Sequence, residues 1–184
     1  MAEYYLISQL PSLDGIGENT PVPITEERFF ELCNRFLGEK SRQKLKMLTL
    51  TPAKELENSG SKLIDKWNEC ERDLRLALGK VRAEKMKKPF DIGNRILPVM
   101  CVKAANAVME ISDPMEAEKL LNRFRLEMLD ALRPIDGFSE DYIFYYGLKL
   151  KLILRIRRFD KLSGEEAYRN IYNSVISGDR VEAI

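Results

Sequence analysis

The side chains best placed to do chemistry lie near the C-terminal end of the sequence. Lys149, Lys151, Arg155, Arg157 and Arg158 form a basic run with no acidic residue among them. Lys151, Arg155 and Arg158 recur at i, i+4 and i+7, so a helix places all three on one face. One reading is a solvated edge, its long stems lying on apolar surface and its charged heads folded onto carboxylates elsewhere. The other is a ridge that binds a protein partner, and Lys151, Arg155 and Arg158 are the candidate partner-binding residues. Nucleic acid would call for aromatic rings exposed beside the ridge. Here Tyr145, Tyr146 and Phe159 fall on the apolar faces. The dense group Tyr142, Phe144, Tyr145 and Tyr146 reads as core, with hydroxyls reaching a partner.

Other chemistry finds little support. Histidine is absent from the sequence, which removes His-based triads, His metal sites and imidazole pH switches together. A ferritin-like di-metal centre needs Glu-x-x-His on two helices. Glu116 and Glu118 read instead as first-turn residues of a capped helix. Asp14-Gly15-Ile16-Gly17 contains a G-x-G fragment, but the third glycine of a dinucleotide fingerprint is replaced by Thr20, and Asp-Gly is a standard turn pair. Serine and lysine are abundant, yet nothing singles out one Ser-Lys pair. Cys33, Cys70 and Cys101 are widely spaced, form no C-x-x-C pair and sit among apolar residues, as free buried thiols do. These readings predict a non-enzymatic protein with no cofactor and no metal.

The composition is that of a soluble folded domain. The chain has 184 residues, 32% charged and 45% hydrophobic, which fits one compact folded domain spanning 1–184. Thirty Lys+Arg against 29 Asp+Glu leave a net charge of +1, against the strong basic excess of a dedicated nucleic-acid binder. Residues Met1–Ile7 carry neither a positive n-region nor a long apolar core, so no signal peptide is expected. No apolar stretch approaches the roughly 18 residues of a membrane span. Reduced cysteines fit a cytoplasmic location. Any membrane association then runs through partner subunits, without direct insertion.

The elements that would hold these side chains are all helical. Tyr4–Leu10 reads as a short helix closed by Pro11, and residues 1–23 as a loosely attached N-terminal segment. Thr25 caps a helix whose apolar face is Phe29, Leu32, Cys33 and Phe36, with Gly38 as its C′ residue. A short helix runs from about Ser41 to Leu50. Ser61 caps a long one reaching about Lys88, with the seam Leu63, Trp67, Cys70, Leu74, Ala77 and Val81 and the rest of its surface solvated. Residues 92–111 form a mostly apolar helix, with Pro98 in its first turns or dividing it. Asp113-Pro114-Met115-Glu116 opens another, burying Leu120, Leu121, Phe124, Met128 and Leu132. Ser139 caps the next. From Tyr142 to Phe159, 12 of 18 residues are apolar, as in a helix buried nearly all round. Ser163-Gly164-Glu165-Glu166 opens a last helix with Ala167, Ile171 and Val175 on its buried face. No segment alternates with period two. The predicted fold is all-α, an antiparallel helical bundle with one long seam helix and a buried C-terminal central helix.

Three stretches resemble a known family. They are Tyr4-Tyr5-Leu6-Ile7-Ser8-Gln9-Leu10-Pro11-Ser12-Leu13, then Trp67-Asn68-Glu69-Cys70-Glu71-Arg72-Asp73-Leu74-Arg75 with Val81-Arg82-Ala83, and Phe138-Ser139-Glu140-Asp141 through Tyr145-Tyr146-Gly147-Leu148-Lys149-Leu150. In this order they resemble a bacterial family of unknown function encoded with V-type ATP synthases. That family is distantly similar to the all-helical socket of the V/A-type ATPase central stalk, the component designated C or d. The resemblance implies a non-catalytic role, coupling the central stalk to the membrane rotor ring and carrying no catalytic residues. The partners it implies are other V-type ATPase subunits. A different class of function, a free-standing helical adaptor or a dimer joined along the Leu63–Val81 seam, fits the same pattern.

Overall fold

In a computed structural model, the structure describes residues 2–16, 20–51, 58–157 and 168–173. They are all-helical, with no strand among the described residues. Seven helices follow in order: α1 (Ala2–Gln9), α2 (Glu26–Phe36), α3 (Glu39–Lys46), α4 (Lys62–Lys85), α5 (Val99–Glu110), α6 (Pro114–Ala131) and α7 (Glu140–Arg157). Residues 168–173 form a further short helical stretch.

Side-chain caps set most of the starts. The Thr25 hydroxyl accepts from the Arg28 N–H, Ser61 from Ile64, Asp113 from Met115 and Ser139 from Tyr142. Each satisfies one of the free N–H groups of a first turn and is worth about 1 kcal/mol. Some boundaries differ from expectation. Gly38 is extended, with φ −68°, and opens α3 rather than closing α2 in the left-handed form. The helix expected over 92–111 begins only at Val99, with Pro98 as its N-cap. Proline disfavours helical backbone in the residue before it, which keeps Leu97 out.

α7 is the central helix. Residues Ile143 to Leu150 are all buried, as are Leu152 and Ile153. They pack with Trp67 of α4, Phe29 of α2 and Leu129 of α6 in one apolar cluster. Gly147 lets α2 come close, since a Cβ there would stand 3.0 Å from Leu48 and 3.1 Å from the fully buried Phe29 ring. Part of the N-terminal segment packs on this core. Leu6 and Leu13 are buried in this cluster, and Pro11 C=O accepts from the Tyr146 hydroxyl at 2.8 Å.

A second cluster joins α4, α5 and α6 through Leu74, Ala77, Val81, Cys101, Ala105, Val108 and Leu121. Here the chain makes an unusual return. The 86–98 crossover doubles back along α4: the Phe90 ring lies against Gly79, and Arg95 bonds Asp73 and reaches Glu69 at 3.4 Å. α5 then runs parallel to α4, because Cys101 lies near Asp73 while Met109 C=O accepts from Lys85 at the far end. α6 runs back antiparallel. The turn out of α4 is a Schellman motif, with Lys88 N–H on Ala83 C=O at 2.9 Å and Lys87 N–H on Glu84 C=O at 3.1 Å. Its left-handed residue is Lys87, φ 52°. Glycine is the usual residue there, and a side chain in that conformation costs roughly 1 to 2 kcal/mol.

α4 does not solvate everything outside its seam. Ile64, Glu71, Asp73 and Leu78 are buried as well. Glu71 is fully buried and binds two arginines. Arg125 of α6 reaches it from Nε at 3.0 Å and from Nη2 at 3.2 Å, and Arg75 Nε donates at 3.0 Å. Arg125 Nη1 donates to Asn122 at 3.2 Å and to Glu118 at 3.4 Å. Arg155 of α7 then reaches Glu118 at 2.7 Å. Charges alternate along Arg75, Glu71, Arg125, Glu118 and Arg155, tying three helices together.

Removing one member of a buried pair leaves the other charged and unpartnered. Glu71→Leu or Arg125→Met alone should therefore lower stability by about 3 to 5 kcal/mol, whereas the double variant should recover most of that loss. Urea unfolding of the four proteins measures this. Additive losses would mean that the two side chains do not depend on each other.

Candidate functional site

Lys151 and Arg155 of the candidate ridge lie on α7, the most buried helix among the described residues. Lys151 Nζ donates to Glu26 at 2.7 Å and sits over the Phe30 ring at 5.4 Å. Arg155 is held by Glu118, as described above. Both side chains are partly buried, and both face a carboxylate from another helix. Arg158 lies outside the described residues. Lys151 and Arg155 border a groove of about 240 Å³ whose other walls include Glu26, Thr49, Leu50 and Leu154. The structure thus brings Lys151 and Arg155 to one groove, with their charges already matched inside the bundle. A partner at this groove meets a polar, near-neutral wall.

Lys149 belongs to a different place. Two residues before Lys151, it points to the other side of α7 and is buried. Its ammonium donates to Asp14 at 2.8 Å, to Asp130 at 3.0 Å and to the Tyr145 hydroxyl at 3.1 Å. Tyr145 donates in turn to Asp130 at 2.5 Å. The cluster closes the Asp14-Gly15 turn onto α6 and α7. This is the role of that turn, with Gly15 left-handed at φ 71°; Gly17 lies outside the described residues. Burial alone would lower the Lys149 ammonium, but its hydrogen bonds to Asp14, Asp130 and Tyr145 outweigh burial and raise it. The hydrogen bond from Lys149 holds the Asp14 carboxyl below its usual range against a smaller opposing effect of burial. Burial, helped by the bond to Asp130, pushes the Tyr145 hydroxyl up to about 12.

The cysteines are free. Burial pushes the Cys33 thiol up to about 12 and, with Asp73 nearby, the Cys101 thiol to about 11, so neither is a thiolate nucleophile near neutral pH. Cys70 is only half-buried. On the stretch 168–173, Ile171 is exposed rather than on a buried face. Its expected companions Ala167 and Val175, and the Ser163–Glu166 cap, lie outside the described residues.

The sequence reading missed one surface. Met86, Phe90, Ile96, Val99 and Met100 are exposed along the crossover and the first turn of α5. Reading 92–111 as one mostly apolar helix counted Ile96 and Met100 among its apolar members. The signal that corrects it is Pro98, since a proline after six candidate residues is more simply a helix start than an interior kink.

A family model described as "Protein of unknown function (DUF2764)" matches residues 89–179. The chain is similar to that family from the crossover through α7 to the short stretch 168–173. The matched region contains Arg125 and Lys149 but not Trp67 or Glu71. No curated protein and no solved structure matches the chain.

The Lys149 cluster gives a pH signature. A depressed carboxyl stabilises the fold above its unfolded pKa of about 4 and loses that contribution as pH falls. A raised ammonium does so below about 10.5 and loses it as pH rises through the folded value. The stability gap between the native protein and Lys149→Met should be flat from about pH 5 to pH 9, and should narrow in acid as Asp14 protonates. Denaturant titrations at about pH 7 and pH 3 measure it; a gap as wide in acid as at neutrality would refute the pairing.

Proposed function

We propose that this protein is a non-catalytic, all-helical subunit of a V-type ATP synthase or ATPase, similar to the central-stalk socket, that couples the stalk to the membrane rotor ring. It works in the cytoplasm, peripheral to the membrane through partner subunits. What supports this reading is the place of the residues that carry the resemblance. Leu6 and Leu13, Trp67 and Leu74, and Tyr145, Tyr146, Leu148 and Leu150 are all buried in the core, and they come from the three stretches in turn. The resemblance therefore concerns how the body is built. The charged side chains of the interior face one another across helices, which suits a rigid coupling body. No helix among the described residues is long and apolar enough to cross a membrane, so attachment by partners is the simplest arrangement.

The dimer reading loses its surface. Leu63, Trp67, Leu74, Ala77 and Val81 are buried within the chain, and α5, α6 and α7 cover α4. A second copy would have to displace them.

Affinity capture of the tagged protein from native membranes, followed by mass spectrometry, tests the proposal. Rotor-ring and central-stalk subunits should be recovered in near-equal amounts. Recovery of neither, from cells with a working V-type enzyme, would overturn it. Replacing Lys151 and Arg155 together by Gln removes only partly exposed ion pairs, each worth about 0 to 1 kcal/mol. It should leave the fold intact and lower recovery about ten-fold if the groove is the contact. Unchanged recovery would move the contact elsewhere.

A further inference from the structure

Residues 85–103 differ from the rest of the surface in two ways at once. They carry five basic residues against one acid, Asp91, in a chain whose net charge is +1. Arg95 is taken up by Asp73 and Glu69, and Lys85 by a backbone carbonyl. Lys87, Lys88 and Lys103 are exposed and pair with no carboxylate among the described residues. Between these lysines the apolar side chains stand outward. Ile96 is 92% exposed, Val99 70% and Met100 61%, and Met86 is exposed at the start of the same crossover. Single exposed apolar residues are ordinary, but four within fifteen residues of one basic segment mark an interaction surface.

We infer that this crossover strip docks the protein directly on an anionic lipid surface. Charge complementarity selects a negative partner. The shape of the strip selects a lipid one. A side chain as exposed as Ile96 protrudes and lines no groove, so a protein partner would need a pocket cut to receive it. The headgroup and acyl boundary of a bilayer deforms around protruding Ile, Val and Met while its anionic headgroups meet the lysines. Lysine also reaches the headgroups on a long flexible stem. This contact adds a lipid-facing side to a protein proposed to reach the membrane through partners, and it needs no ATPase subunit to operate.

The test uses the full chain and vesicles that contain lipid alone. Co-sedimentation with phosphatidylcholine vesicles is compared with vesicles holding about 30% phosphatidylglycerol. Retention should be at least about ten-fold greater on the anionic vesicles, and should fall as salt rises from about 50 to about 500 mM. Lys87→Glu with Lys88→Glu, and separately Ile96→Asp with Met100→Asp, should each reduce retention about ten-fold. Thermal unfolding of both variants should match the parent, because all four side chains are exposed. No retention on either vesicle overturns the inference. So does retention that is equal on the two vesicles, or that only the lysine variant lowers. If vesicles fail and the same variants abolish capture of a V-type subunit in detergent, the strip belongs to a protein interface. Failure of the capture experiment with vesicle binding intact would leave the lipid contact standing without the ATPase reading.

Discussion

The fold depends on one carboxylate that has no access to water. Glu71 sits on the middle of the longest helix, fully buried. An isolated ionised carboxylate there would cost far more than a domain of this size has in net stability. It is tolerated only because α6 presents Arg125 as a two-pronged donor and Arg75 adds a third N–H. That requirement fixes the rotation of α6 about its own axis and its register along α4. Apolar packing could accept neighbouring registers at modest cost, whereas the buried ion pair cannot. Arg125 in turn bonds Asn122 and shares Glu118 with Arg155 of α7.

A second polar lock does for the N-terminal segment what Glu71 does for α6. α1 is short, and isolated helices below about 12 residues are marginal. Its persistence rests on tertiary contacts: Leu6 and Leu13 in the apolar cluster, the Tyr146 hydroxyl on Pro11, and Lys149 on Asp14. The α7 residues that hold this segment alternate with those facing the groove. Lys149 looks to the Asp14 turn and Lys151 to Glu26, two residues apart and on different sides of the helix.

Local rules made most of the elements legible, and tertiary ones did not. Thr25, Ser61, Asp113 and Ser139 stand before helices with the caps that their side chains imply, because capping involves only a few adjacent residues. The α4 seam and the all-round apolar character of α7 are likewise local patterns. Glu71 and Asp73 were illegible because a charged residue on a helix looks the same in sequence whether solvent or a distant arginine receives it. Lys149 misled for that reason, reading as part of a basic run. The bonds of Pro11 and Asp14 were illegible too, since their partners Tyr146 and Lys149 lie more than a hundred residues along the chain. Of the candidate ridge, the sequence reading foresaw the shared helix face of Lys151 and Arg155 and offered folding onto carboxylates as one alternative. It could not supply Glu26 and Glu118 as the partners.

The two kinds of charge in this protein separate by where the chain can find a partner. Inside, acids and bases meet at 2.7 to 3.4 Å in alternating order, some along one helix and some, as Glu71 with Arg125 and Glu118 with Arg155, from different helices. On the crossover Lys87 and Lys88 are consecutive, Arg95 is taken up by Asp73 and Glu69, and the only acid in the stretch, Asp91, accepts from the Gly93 N–H. A crossover that had only to return the chain to the start of α5 could do so with small polar residues and a glycine at the left-handed turn. This one keeps Lys87 at the turn and large apolar groups facing outward beyond it. Stability does not account for either choice, since both act against it or leave it unchanged. The exposed strip is also where the match to the family of unknown function begins, at residue 89. Interior charge and exterior charge thus answer different demands. The first sets helix register, and the second is available to whatever surface the protein meets.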